Sequence, residues 1–362
     1  MPRSLSTHFL KQRRPAVAPR AIASLVVLVA AVFSSTLTAQ TSPHGLWQLQ
    51  YDTEPARVHL NFEHYEDGRR HGGMTGFTVM PSQLTGVTQS QLASGEGPVR
   101  FQLVRDAGTF NFEGQIYRGR GNGSFTFAAN PRFSGELARR GYGRPSAEEQ
   151  FQLGLHDVGY ALLDELRTQG YNRPSVEDLV SLGQHGVHVE YVRGLGSLGY
   201  RVGTTDRLQE LRDHGVTPSF ISGLASSGYA KLSIDRLLEL RDHGVTPSFI
   251  TGMEQAGLGR LSADALLELR DHGVTPEYIA GLARAGYRNL SADELVNARD
   301  HGVTPDLADG FRRLGYSGLS LRQLIKLRDH GVTVAFAERV RDREGSVPVE
   351  GLIERRDQGY RY

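Results

Sequence analysis

The stretch Leu237–Ile250 reads LLELRDHGVTPSFI, and a close copy, LLELRDHGVTPEYI, occupies Leu266–Ile279. A shorter copy runs from Leu211 to Ile221. Working outward, the aspartates of the RDHG word stand at Asp213, Asp242, Asp271, Asp300 and Asp329, each 29 residues from the last. The prolines Pro218, Pro247, Pro276 and Pro305 keep the same step, and counting backwards reaches Pro131 in NPRFSGELARRGY. A fixed period of this length is the signature of a stacked repeat architecture. About eight units fill the chain from Asn130 onward, and the last departs from the pattern, with Val334 in place of proline and no glycine-tyrosine word near Gly345.

Each unit reads as two short helices. In the unit around Thr246, the threonine is an N-cap and Pro247 suits the first helical position. That helix runs to Ala256 and ends at Gly257; Ser262 caps a second helix that runs to His272 and ends at Gly273. Val245/Ile250 and Leu261/Leu266 are spaced as hydrophobic staples. A glycine followed by an apolar residue, as in Gly273-Val274 and Gly286-Tyr287, is the layout of a Schellman ending. Helices of about eleven residues are marginal alone in water, so their leucines must be buried between neighbours. Gly223, Gly252, Gly281 and Gly310 recur inside the Thr-Pro helices, where glycine costs about 1 kcal/mol against alanine. The recurrence predicts a close approach between helices.

The segment before the repeats obeys a different rule. Arg57–Tyr65 and Val99–Arg105 alternate apolar and polar residues, as do the phenylalanine pairs Phe110/Phe112 and Phe125/Phe127, with glycine-rich breaks between. This predicts an antiparallel meander of five or six strands, with one short helix inserted in Pro81–Leu92. The fold class is therefore α+β: an antiparallel β segment over 45–129, either a small domain of its own or a cap on the first repeat, then an α-solenoid over 130–362.

The N-terminus carries Arg13, Arg14 and Arg20 before the apolar run Ala21–Phe33, then small residues up to Gln40. This is the order of a signal peptide over 1–39, and it predicts an exported protein, periplasmic or extracellular. An uncleaved anchor is the competing reading, although the run is shorter than the ~20 residues a spanning helix needs. The 362 residues carry 41 basic and 40 acidic side chains, so no global basic field points to nucleic acid. With no cysteine, disulfide and thiolate chemistry are excluded.

Each motif that could carry chemistry also has a plain structural role. Adjacent Asp and His on a helix point about 100° apart, so RDHG holds no preformed dyad. Stacked helices lie ~8–10 Å apart, too far for equivalent histidines to share one zinc ion. The word reads as helix-end punctuation, with Arg and His complementing the negative helix terminus. HYEDGRRH, from His64 to His71, reads as a polar hairpin turn, and Arg118–Gly123 as a tight turn without the Gly-Lys-Ser/Thr of a phosphate loop. The tyrosines Tyr142, Tyr171, Tyr200, Tyr229, Tyr287 and Tyr316 are expected to pack against helix ends. No catalytic residue, cofactor or metal ligand is assigned.

GTFNFEG and GSFTFAANPRF within Gly108–Phe133, the LHDVG word at Leu155–Gly159 and the HGVTPEY-type repeats together resemble the tails of bacterial membrane metallopeptidases of the BlaR1/M56 antirepressor type. The likeness covers most of the mature chain. Those peptidases hold zinc in a separate membrane domain with an HExxH motif, which this sequence lacks, so peptidase activity is not carried over. The resemblance implies a sensory or interaction role, or a regulatory part beside such a peptidase.

The expected function is a non-catalytic scaffold that binds another protein through positions free to vary between units. These are Ser248, Glu277 and Asp306 at one site, and Thr251, Ala280 and Asp309 at a second. In the Ser-capped helices they are Arg236, Ala265, Glu294 and Gln323, then Glu239, Glu268, Asn297 and Lys326. The competing classes are a β domain that binds a small ligand or cell-wall glycan, with the solenoid as spacer, and a hydrolase with an unfamiliar site.

Overall fold

The computed structural model describes residues 42–66 and 69–360, with only the backbone described at 66 and over 69–74. The signal-peptide segment lies outside the described residues. No helix among the described residues is long and apolar enough to cross a membrane.

Seven strands form one antiparallel sheet: β1 (His44–Thr53), β2 (Ala56–Glu66), β3 (Arg69–Val79), β4 (Leu84–Thr85), β5 (Glu96–Arg105), β6 (Gly108–Tyr117) and β7 (Arg120–Ala129). Their order is β3-β2-β1-β7-β6-β5-β4. The expected five or six become seven because β4 is a two-residue pair and β3 hides its alternation behind Gly72, Gly73 and Gly76. The short helix α1 (Gln89–Ser94) falls near the predicted insertion and drops Leu92 onto the sheet's inner face.

That face is an aromatic core. Trp47, Phe62, Phe101, Phe110, Phe112, Phe125 and Phe127 are all buried, with Phe101 and Phe112 stacked at 4.6 Å and Phe110 and Phe127 tilted at 4.8 Å. The Trp47 indole N–H donates to the carbonyls of Glu113 (3.1 Å) and Ser124 (3.0 Å). A Cβ on Gly121 would lie 3.0 Å from the indole ring, so that part of the Arg118–Gly123 motif seats the tryptophan. The tight turn itself is confined to Arg118 (φ 45°) and Gly119 (φ 81°); from Arg120 onward the motif is strand.

Sixteen helices follow among the described residues. The first four are α2 (Pro131–Arg139), α3 (Ala147–Leu155), α4 (Tyr160–Thr168) and α5 (Val176–Gln184). Next come α6 (Val189–Ser197), α7 (Thr205–Asp213), α8 (Pro218–Ser226), α9 (Ile234–Asp242), α10 (Pro247–Met253) and α11 (Ala263–Asp271). The last are α12 (Pro276–Arg284), α13 (Ala292–Asp300), α14 (Pro305–Arg313), α15 (Leu321–Asp329), α16 (Val334–Glu344) and α17 (Val349–Asp357). They pair into eight units. From α3 onward, odd-numbered helices stack on odd ones and even on even, giving two rows with a continuous leucine-rich core between them.

The caps sit where the sequence puts them. The Thr246 and Ser262 hydroxyls accept from the amides of Phe249 and Ala265. Gly273 has φ 68°, and the Val274 amide reaches the Leu269 carbonyl at 2.8 Å, the 6→1 bond of a Schellman ending. Most helices have nine residues rather than eleven, because the glycine and its preceding residue belong to the cap. The ending of α10 differs: it passes into a wide turn at Glu254–Leu258, and Gly257 (φ 97°) and Gly259 (φ 64°) both have positive φ.

The sheet closes the first unit rather than standing apart from it. Phe151 and Leu155 of α3 belong to the sheet's core, with the Phe151 ring 5.5 Å from Phe127 and 5.8 Å from Phe110. The β5–β6 turn then serves the helices directly. Buried Arg105 donates to the carbonyls of Gly154 (2.6 Å) and Leu155 (2.8 Å) at the end of α3 and lies over the Phe77 ring. The Asp106 carboxylate accepts from the Tyr160 amide (2.8 Å) at the start of α4, where Gly159 has no side chain to cap with. Gln150, buried, donates to the carbonyls of Ala107 and Asn130, both at 2.8 Å.

Candidate interaction surface on the repeat stack

The RDHG word does more than end helices: it ties neighbouring units together. The histidine Nδ1 of each word meets the aspartate of the next: His185–Asp213 (2.7 Å), His214–Asp242 (2.6 Å), His243–Asp271 (2.6 Å), His272–Asp300 (2.7 Å) and His301–Asp329 (2.7 Å). His330 meets Asp357 at 2.9 Å, absorbing the one-residue shortening of the last step. The expectation that Asp and His of one word form no dyad agrees with this arrangement, since each pairs with a neighbour. The hydrogen bond to the next carboxylate raises the pKa of His214, His243 and His272.

The arginine has its own partner. Arg212 lies over the Tyr191 ring (5.3 Å to centroid), Arg241 over Phe220 (5.4 Å), Arg270 over Phe249 (5.2 Å), Arg299 over Tyr278 (5.1 Å) and Arg356 over Phe336 (5.6 Å). Each ring comes from the first helix of the same unit, which is Thr-capped in every case but that of Tyr191, whose helix starts after His188. The guanidinium also lies against the closing glycine of the unit before, as Arg270 does at Gly244.

The interior glycines have a direct cause. A Cβ on Gly194, Gly223 or Gly252 would lie 2.6 Å from Cγ of Pro218, Pro247 or Pro276, and one on Gly281 2.5 Å from Cγ of Pro305. The proline that starts one Thr-capped helix is the knob that packs on the glycine of the previous one. Arg339 holds this position in α16, after which no further Thr-capped helix follows among the described residues. Three tyrosines also bridge units: the Tyr200 and Tyr229 hydroxyls donate to the carbonyls of Leu232 (3.0 Å) and Leu261 (2.6 Å), and that of Tyr171 accepts from the Val202 amide (3.4 Å).

The positions that vary between units are placed as follows. Ser248, Glu277, Asp306, Glu239, Glu268, Asn297 and Lys326 are all exposed. Ser248 hydrogen-bonds the capping hydroxyl of Thr246 (2.9 Å), and Glu239 pairs with Arg236 (2.6 Å). Glu277 bonds its own amide and the Thr275 side chain, which lowers its pKa. Arg236 reaches across to Asp264 of the next unit, as Arg207 does to Asp235. Ala265, Glu294 and Gln323 do not continue that tie. The residues at Glu268, Asn297 and Lys326 therefore form the exposed row that changes from acid to amide to base along the stack.

Two further groups lie near the sheet. His64, read as part of a polar turn, is half-buried instead, 3.5 Å from the Glu148 carboxylate and 5.1 Å from the Phe151 ring, so it belongs to the junction with α3. The hairpin expected around Asp67-Gly68 shows in the pairing of Glu66 with Arg69, on either side of those two residues. Sequence reading missed a second arrangement altogether. His59 bonds Thr78 through Nδ1 (2.8 Å) and Asp52 through Nε2 (2.8 Å), and Gln50 completes the row at Asp52 (3.2 Å). These residues are neighbours on β1, β2 and β3, on the outward face of the sheet, the setting of a cross-strand polar tie. Only the strand register, which the sequence does not print, brings them together. Among the described residues no group of three or more His, Cys, Asp or Glu could hold a metal ion.

No protein-family profile matches this chain, and no curated protein is similar to it.

Proposed function

We propose that the chain is an exported, non-catalytic scaffold whose repeat stack binds another protein. The observation that carries this is the contrast within each unit. The His–Asp contact repeats at every word and the Arg–ring and Gly–Pro contacts in most units, whereas the exposed row Glu239, Glu268, Asn297, Lys326 keeps its charge over the first step and changes it over each of the next two. A surface of constant spacing and varying chemistry suits an extended protein partner. Export rests on the basic and apolar N-terminal segment. A sensory role, or one beside a membrane metallopeptidase, rests on the resemblance of the β segment and repeats to antirepressor tails. The glycan-binding alternative has less support, because the sheet's inner face is filled by its own phenylalanines and by Phe151.

The test is capture of the native partner from the exported fraction of the host with Glu268→Lys, Asn297→Asp and Lys326→Glu combined. Such exposed changes should shift stability by less than ~0.5 kcal/mol each. The expected result is an unchanged melting temperature with capture lost. Capture that survives these reversals but fails with Leu46→Lys and Val104→Glu, on the exposed face of the sheet, would overturn the proposal and place binding on the β segment.

A further inference from the structure

The Arg–ring pairs hold at every RDHG word but one. In the unit of α14 and α15 the ring position is Leu307, and the isoleucine position beside it is Ala308. Arg328 is kept, yet among the described residues it stacks on no ring and reaches no carboxylate. In the second unit, by contrast, Leu162 takes the ring's place and Gly183 takes the arginine's. Where the ring should be, a cleft of about 400 Å³ opens, floored by Leu307, Gly310 and Val334 and flanked by Arg313 and Arg328.

The stretch of chain that supplies most of the cleft also differs in charge. Residues 304–343 carry eight basic and five acidic side chains, whereas the equivalent 246–285 carry three and five. Asp306 lines the cleft, and Asp309 is held by Arg312 (2.5 Å) and by the lining Arg313 (3.2 Å). An apolar floor with a flat, unstacked guanidinium and an excess of positive charge favours an aromatic ring carried on an acidic segment.

We infer that this cleft is the anchor point for a partner protein: a phenylalanine or tyrosine from an acidic segment inserts beside Leu307 and stacks on Arg328, completing in trans the pair that the other units make in cis. This rests on the interaction reading above and gives it a location and a chemistry.

The probe is the pair of peptides acetyl-Glu-Asp-Phe-Asp-Glu-amide and its Phe→Leu counterpart, titrated into the full chain and followed by amide NMR shifts. The Phe peptide should perturb residues around Leu307 and Val334 and bind about tenfold more tightly than the Leu peptide. Leu307→Phe should raise the melting temperature by filling the gap and abolish peptide binding; Arg328→Gln should weaken binding about tenfold without loss of fold. The inference fails if both peptides bind alike, if neither binds, or if Leu307→Phe stabilises the protein without affecting the peptide. If native partner capture is untouched by Leu307→Phe while the peptides do not bind, the cleft is only a packing vacancy and the scaffold reading stands without it.

Discussion

The sheet and the repeat stack solve the burial problem in opposite ways. In the sheet, one cluster of rings is shared: Phe110 alone lies within 6.5 Å of Phe62, Phe77, Phe112, Phe125, Phe127 and Phe151. In the stack, no contact is shared so widely. Each unit meets its neighbours through the same short series of histidine, proline and glycine contacts, and stability is close to a sum over units and interfaces. A change in the sheet should therefore be felt across the β segment and the first unit, whereas a change in the stack should stay local and small.

The largest effect should come from Phe151→Ala. This ring belongs to a helix of the first unit but is buried in the sheet's core. Truncating a buried phenylalanine costs about 3–5 kcal/mol. Near-ultraviolet circular dichroism of Trp47 and far-ultraviolet helix signal should both change in one transition. If helix loss proceeds with the tryptophan signal intact, the two regions are independent.

Next comes the glycine–proline knob. Gly281→Ala would normally stabilise a helix by about 1 kcal/mol. Here the added Cβ meets Pro305 at 2.5 Å, so overpacking costing about 1–3 kcal/mol should win. Gly135→Ala in α2, where nothing lies within 4 Å of the added carbon, should stabilise by roughly 0.5–1 kcal/mol. Opposite signs in urea melts are expected; equal signs would remove the close approach as the cause of the recurring glycine.

These two predictions also mark what could be read in advance. Caps, staples and the 29-residue step depend on local chemistry, so Thr246, Ser262 and Gly273 were legible from sequence alone. The interior glycines announced a close approach, but not that the next unit's proline makes it. The His–Asp ties were missed because Asp and His stand side by side in the word, and only the superposition of one unit on the next reveals the true pair. The seat of Trp47 and the His59 row depend on strand register, and Phe151 sits in the sheet although its helix is written in the grammar of the repeats. Of the candidate site, the exposed row was legible as variation between units. The cleft at Arg328 was not, because it is visible only once the arginine is known to need a ring.

A smaller contrast is expected within the word. Gly273→Ala forces a side chain into φ 68°, costing about 1–2 kcal/mol. His272→Ala removes an exposed pair and should cost less, since such pairs contribute little. Denaturant melts rank the two; a larger loss for the histidine would make the His–Asp tie, rather than the glycine turn, the dominant feature of the word.

The smallest effect is the pH response, and it divides the molecule again. In the stack, His214, His243 and His272 have folded pKa values raised above the ordinary 6.5 by their carboxylate partners. Their contribution is complete below pH 6.5 and is lost as pH rises through the raised values. At the junction the sign is reversed. His156 precedes Gln184 where the later words have aspartate, and burial, with Arg105 and His188 nearby, pushes its pKa down to about 4. Burial lowers that of His188 as well. These two stabilise above pH 6.5, and their contribution is lost as pH falls from 6.5 towards 4, because the unfolded chain then binds protons that the folded one resists. Stability should therefore peak near pH 6.5 and decline on both sides for different reasons. Asp300→Asn should reduce the alkaline slope by the share of His272 and leave the acid side unchanged, and His156→Gln should reduce the acid slope by its own share and leave the alkaline side unchanged. If either substitution alters both limbs equally, the two sets of histidines are not the separate origins of the two slopes.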